Sequence, residues 1–337
     1  MESEFRQEFV VKFPVSILLI VTPILISAGA GWPTKIFAPY MYIGAGDHFR
    51  LTQCDDACGQ KFYTIAFIIA DKQGNPAWDG HWPMEENLYA DQIKAIRNRG
   101  GNVIASFGGA DGEDIAMVET NVMALQSKYQ TAIDQYKLTW LDFDIEGYAL
   151  NNFEANQRRN AAIAGLQANN PGLVISYTLP VDPHGISPES QRLLADAMAK
   201  GVNVHSVNVM TMDFGSHFSK GKKMSDVSIA SALKAHKQCQ AISSTIQIGL
   251  TPMIGQNDEL GEVFTPEDAV ALKKWAQAQP WICSLSFWAV NRDTGYLGKD
   301  KTGNDTSGVP QKPWEFTRIF ESFTSTKQKA IMKRATF

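Results

Sequence analysis

Histidine is scarce in this chain, six residues scattered along 337, and neither His-Glu-x-x-His nor Cys-x-x-Cys occurs, so no metal site is expected. Concentrated basic charge is also missing. Charged residues make up 20% of the sequence and the formal net charge is -4, which argues against a nucleic-acid partner and for an uncharged one. Near the last candidate strands there is no Gly-rich phosphate loop and no convincing Schiff-base lysine, and no cofactor is expected. After Ile26 no run approaches the roughly 20 apolar residues that cross a bilayer. Cysteine is limited to Cys54, Cys58, Cys239 and Cys283. Two disulfides, Cys54 with Cys58 and Cys239 with Cys283, are the expected pairing in an oxidising compartment, with buried free thiols as the alternative.

The first thirty residues differ from the rest. Arg6 and Lys12 lead into the apolar run Val15 to Ile26 and then Ala28-Gly29-Ala30, the order of a secretory signal with its cleavage site. Glu2, Glu4 and Glu8 are unusual there, and the same run left uncleaved is an N-terminal membrane anchor. Residues 1–30 are therefore expected to direct export, the product being secreted or membrane-anchored. A single domain is expected over 31–323, with a basic tail over 324–337 that carries Lys327, Lys329, Lys333 and Arg334. Asn304-Asp305-Thr306 is a glycosylation sequon.

From Lys35 onward, short apolar β-rich runs alternate with longer amphipathic stretches. Strands are predicted at Lys35 to Tyr42, Phe62 to Ile69, Asn102 to Phe107, Thr139 to Ile145, Leu173 to Thr178, Val204 to Met210, Thr245 to Leu250 and Ser284 to Val290. Helices are predicted at Tyr89 to Arg99 and Ala269 to Ala278, the latter opened by Thr265-Pro266-Glu267-Asp268, and a last one near Trp314 to Phe323. Eight apolar strands separated by helices predict an α/β fold, a single-domain (β/α)8 TIM barrel, and a monomer.

The chemistry concentrates in Leu141-Asp142-Phe143-Asp144-Ile145-Glu146-Gly147, where three acids alternate with three apolar residues. A strand puts Asp142, Asp144 and Glu146 on one side and Leu141, Phe143 and Ile145 on the other. In a barrel the apolar side meets the helices, so the acids line the interior and its C-terminal mouth, where barrel enzymes keep their chemistry. Like charges in so tight a row cannot all ionise; at least one pKa must rise, as a general acid requires.

This stretch resembles the Asp-x-x-Asp-x-Asp-x-Glu signature on the fourth barrel strand of glycoside hydrolase family 18 chitinases, with Thr139 in place of the first acid. The resemblance implies that Glu146 protonates the glycosidic oxygen, that the substrate's own 2-acetamido carbonyl attacks the anomeric carbon, and that Asp144 orients that acetamido group. It implies for Asp142 a relay that shares a proton with Asp144. Ser106-Phe107-Gly108-Gly109 is similar to the family's third-strand Ser-x-Gly-Gly, and Met210-Thr211-Met212-Asp213 lies where the family has Met-x-Tyr-Asp. Asp213 is carried over as a substrate contact; Met212 stands where a tyrosine usually binds the acetamido carbonyl, and Tyr177 is one candidate substitute. Trp288 resembles the eighth-strand tryptophan that floors the sugar subsite. Asn291, Arg292, Asp293 and the Gln256-Asn257-Asp258 run are further rim candidates, and Trp32, Trp78 and Trp82 are candidates for distant subsites or for plain packing.

The expected function is that of a chitinase-like hydrolase acting on chitin or N-acetylglucosamine oligosaccharides, in an open cleft suited to endo cleavage. The alternatives are an endo-β-N-acetylglucosaminidase acting on N-glycans and a non-catalytic chitin-binding, lectin-like barrel.

Overall fold

The computed structural model describes residues 31–45, 49–295 and 303–324. The expected export segment and nearly all of the basic tail lie outside the described residues. Among the latter, eight parallel strands form the wall of the molecule. Ile36–Phe37 continuing as Tyr40–Tyr42 (β1) is followed by Phe62–Ala70 (β2), Asn102–Gly108 (β3), Trp140–Asp144 (β4), Val174–Asp182 (β5), Val204–Met210 (β6), Gln247–Thr251 (β7) and Ile282–Leu285 (β8). The break in β1 closes the barrel: its first part pairs with β8 and its second with β2, leaving no free edge in the ring.

A helix follows each strand: Leu51–Cys58 (α1), Ala90–Asn98 (α2), Val122–Tyr136 (α3), Phe153–Asn169 (α4), Pro188–Ala199 (α5), Met224–Ile242 (α6), Pro266–Ala278 (α7) and Glu315–Glu321 (α8). Their starts are written locally. Asn121, Asn152 and Ser187 each accept a backbone N–H at the helix entrance, and Thr265 with Asp268 forms a reciprocal capping box. The helices cover the outward strand residues, so Leu141, Phe143 and Ile145 are fully buried between layers.

The predicted strands fall where expected to within a few residues, except the last. β8 ends at Leu285, and Trp288 continues only as a single bridge to Met253. The chain leaves the sheet there to shape the mouth. The expected disulfides are not formed. All four cysteines are free thiols. Cys54 and Cys58, one turn apart on α1, bring their sulfurs to 3.4 Å as a thiol contact, well outside bonding distance. Cys239 is buried on α6, while Cys283 on β8 turns toward the Ile248 carbonyl.

Candidate active site

Parallel register stacks the barrel interior in levels. Ser106, Asp142 and Ser176 are neighbours across β3, β4 and β5, and Gly108, Asp144 and Thr178 form the next level toward the mouth. Asp142 is buried and accepts hydroxyls from every side: Ser176 Oγ at 2.6 Å, Ser106 Oγ at 2.8 Å, and Tyr40 Oη and Thr178 Oγ1 at 3.0 Å. Burial pushes its carboxyl above the ordinary range, and these hydroxyls pull it back.

Asp144 is equally buried, but its Oδ1 has no hydrogen-bond partner among the described residues. Burial, then the charges of Glu146 and Asp142, hold its carboxyl well above the ordinary range. An orphaned acceptor at this depth is costly unless something outside the protein completes it, and an amide N–H of a ligand has the right chemistry.

Glu146 follows β4 and stands at the start of the short helix Gly147–Asn151, without using its side chain as a cap. It is partly buried. Burial first, then the charges of Asp111 and Asp213, push its carboxyl up to about 7. A carboxyl that keeps its proton near neutrality can protonate a leaving oxygen.

These groups face a cavity of about 430 Å³, large enough for a small ligand. Asp144, Glu146, Met212, Asp213 and Trp288 all line it. The Trp288 ring stacks on Phe67 with centroids 5.6 Å apart and 12° between planes, and packs against Tyr42 at 5.4 Å. Asp213 sits in the left-handed backbone region at φ 48° and is steadied by the Glu259 N–H at 2.9 Å. Gly108 and Gly109 adopt φ 98° and 96°, and both are tightly pressed. A Cβ on Gly108 would lie 2.1 Å from the Asp144 carbonyl oxygen, and one on Gly109 would strike the Phe67 ring. They serve close packing of β3 on the acid strand, and Ser106 serves Asp142; none of the three lines the cavity.

Several sequence candidates are placed elsewhere. Tyr177 points into the helix layer, where its hydroxyl donates to Asn160 Oδ1 at 2.6 Å, because alternation on β5 gives the interior to Ser176 and Thr178. It does not replace the missing tyrosine. Trp32 is buried against Trp140 and donates to Thr139 Oγ1, and Trp78 is buried and donates to Tyr136. Asn291 ties down the Tyr42 backbone, Arg292 donates to three backbone carbonyls, and Asp293 receives the first N–H groups of α8. Of the Gln256-Asn257-Asp258 run only Asp258 reaches the cavity, and Asn304 of the sequon lines it too.

The structure adds groups that sequence reasoning missed. Tyr40 and Tyr42 alternate on β1, Thr178 follows Ser176 by two on β5, and Asp111 stands two residues beyond Gly109; all four line the cavity. The period-two spacing on β1 and β5 was a legible signal. Asp79 and Phe67 carried none. Among the described residues, no group of three or more His, Cys, Asp or Glu side chains is arranged to hold a metal ion.

No family model matches the chain. It is 31% identical over 316 residues to a probable bifunctional chitinase/lysozyme of Escherichia coli, and 32% identical over 279 residues to endochitinase 11 of Metarhizium anisopliae. These alignments take in 87% and 78% of this chain but 35% and 53% of the relatives, so the chain spans about half or less of their length. Among solved structures, active domain 2 of the chitinase from Pyrococcus furiosus is 32% identical, with a TM-score of 0.78 over 88% of this chain and 97% of that one. A catalytic-site mutant of the same domain, complexed with chito-oligosaccharides, is 31% identical and superposes with a TM-score of 0.79 over 92% of this chain and 98% of that one.

Proposed function

The chain belongs to the glycoside hydrolase family 18 chitinases, and from that premise we propose that it hydrolyses β-1,4-linked N-acetylglucosamine polymers by substrate-assisted, retaining catalysis. One observation carries the reading: in a cavity floored by Trp288, a carboxyl that holds its proton to about pH 7 stands beside a buried carboxyl with an unsatisfied oxygen.

The reaction follows from that arrangement. Trp288 offers an aromatic face to the apolar face of the sugar ring. Asp144 Oδ1 accepts the acetamido N–H, which turns the carbonyl oxygen toward the anomeric carbon. Glu146 gives its proton to the glycosidic oxygen as that bond breaks, and the carbonyl oxygen closes on the anomeric carbon to form a cyclic oxazolinium ion. Buried negative charge at the Asp142–Asp144 pair stabilises the cation. Water then attacks the same carbon, giving its proton to Glu146 and restoring both the acid and the acetamido group, with the starting β configuration retained. No second carboxylate is required as nucleophile. Met212, at the cavity wall, leaves the carbonyl oxygen without the family's usual tyrosine donor.

The same reading takes the enzyme to act as a monomer. The basic opening, apolar run and Ala28-Gly29-Ala30 support export. Chitohexaose hydrolysis with anomer-resolved product analysis is the test. Glu146→Gln is expected to retain binding and to lose about 10²–10⁴ in turnover; substantial residual turnover, or α products from the unaltered enzyme, overturns the assignment.

A further inference from the structure

The hydroxyls around Asp142 themselves receive N–H donors, from the Trp140 indole and the Asn208 amide. The Trp140 indole N–H donates to Ser176 Oγ at 3.0 Å, taking one of its lone pairs. The Ser176 proton then has Asp142 Oδ1, at 2.6 Å, as its recorded acceptor. On the opposite side, Asn208 accepts from Thr251 Oγ1 through its Oδ1 at 2.9 Å, and its Nδ2 faces Thr178 Oγ1 at 3.0 Å and Tyr40 Oη at 3.5 Å. Among the described residues, Thr178 and Tyr40, 2.8 Å apart, have only each other and Asp142 as acceptors. However that pair divides its protons, at least one points at Asp142. Ser106 adds another from β3.

We propose that Trp140 and Asn208 are positioning residues that polarise this hydroxyl ring toward Asp142, keeping it an anion throughout turnover so that the proton of the aspartate pair resides on Asp144. A protonated Asp142 has a hydrogen of its own to place. To receive it, Ser106 or Ser176 must turn its hydroxyl away from its only recorded acceptor, and the Thr178–Tyr40 pair must do so against the Asn208 amide. A buried donor stranded in this way is destabilising. Asp142 is thus a fixed counter-charge, in place of the relay that the family resemblance implies. The titratable groups facing it are Tyr40 and Asp144.

The proposal rests on the catalytic reading for its consequence, while its primary test needs no turnover. Asp142→Asn puts two N–H donors among hydroxyls already aimed at that position. If the ring is polarised, the change is strongly destabilising, and much less so once Trp140→Phe frees Ser176 to turn and accept. A stability cycle of the two single variants and the double variant, read by urea unfolding, is expected to show the double variant more stable than additivity by about fivefold or more in its unfolding equilibrium. Additive losses overturn the proposal. Should Asp142→Asn fail to fold, the pH profile of Trp140→Phe and Asn208→Leu decides. Each removes an N–H that aims a hydroxyl at the carboxylate, so the acid limb of kcat/KM moves upward, by roughly half a pH unit to one. A merely structural role lowers the rate and leaves the limb in place, which overturns the proposal equally.

Discussion

Asp111→Asn isolates one contribution to the proton affinity of Glu146. In the unaltered protein, burial raises that carboxyl from 4.5 to about 7, with Asp111 and then Asp213 adding like charge across the cavity. Because burial is the largest cause, removing the Asp111 charge recovers only part of the rise, roughly half a pH unit to one. The sign follows from the role. Glu146 must be protonated to act as acid, so activity is lost as pH climbs through its pKa, and a lower pKa brings that loss to lower pH. At pH 8 an acid with pKa near 7 is about 9% protonated, and one at 6 to 6.5 is about 1–3% protonated, a loss of about three- to ninefold in kcat/KM. At pH 5 both are almost fully protonated and the two proteins should match. The assay is initial-rate hydrolysis of chito-oligosaccharide from pH 4 to 9. An alkaline limb that stays put or moves upward refutes the argument that Asp111 acts through Glu146.

Asp144→Asn is expected to reduce turnover about as severely as loss of the acid, since its amide can set an N–H2 donor where the carboxyl offers an acceptor to the acetamido N–H; single-turnover rates on chitohexaose check this. Trp288→Ala removes the aromatic floor, worth about 1.5–3 kcal/mol of ring burial, or roughly ten- to hundredfold in kcat/KM with the alkaline limb unchanged. Away from the chemistry, Asp114 pairs with the fully buried Arg159 at 2.9 Å and caps the helix Ile115–Val118 through its Oδ1. Asp114→Ala strands that guanidinium and should cost about 3–5 kcal/mol in urea unfolding at pH 7.

The barrel was legible because its signals are local. Runs such as Asn102 to Phe107 and Val204 to Met210 are apolar along their length, as strands covered by helices must be, and Thr265-Pro266-Glu267-Asp268 announces its helix within one turn. Trp288 and Tyr177 show where local reading stops. Both lie in strand-like apolar runs, yet one leaves the sheet to floor the cavity and the other faces the helices. For Tyr177 the flanking Ser176 and Thr178 carry the parity that turns it outward, whereas nothing in the immediate neighbours of Trp288 marks its departure from the sheet.

Alternation along residues 141–147 by itself settled that three acids share one side of a strand, because side-chain direction on a strand depends only on parity. What surrounds each acid was decided by closure of the barrel. Tyr40, Ser106, Thr178 and Asn208 lie on four different strands, up to 168 residues apart, and converge about Asp142 only because those strands pair in register around a ring. Asp111 likewise acts on Glu146 through space. Proton affinity depends on distance and burial, both of them properties of the folded cavity, so sequence order carries the row of acids and tertiary structure assigns their protons.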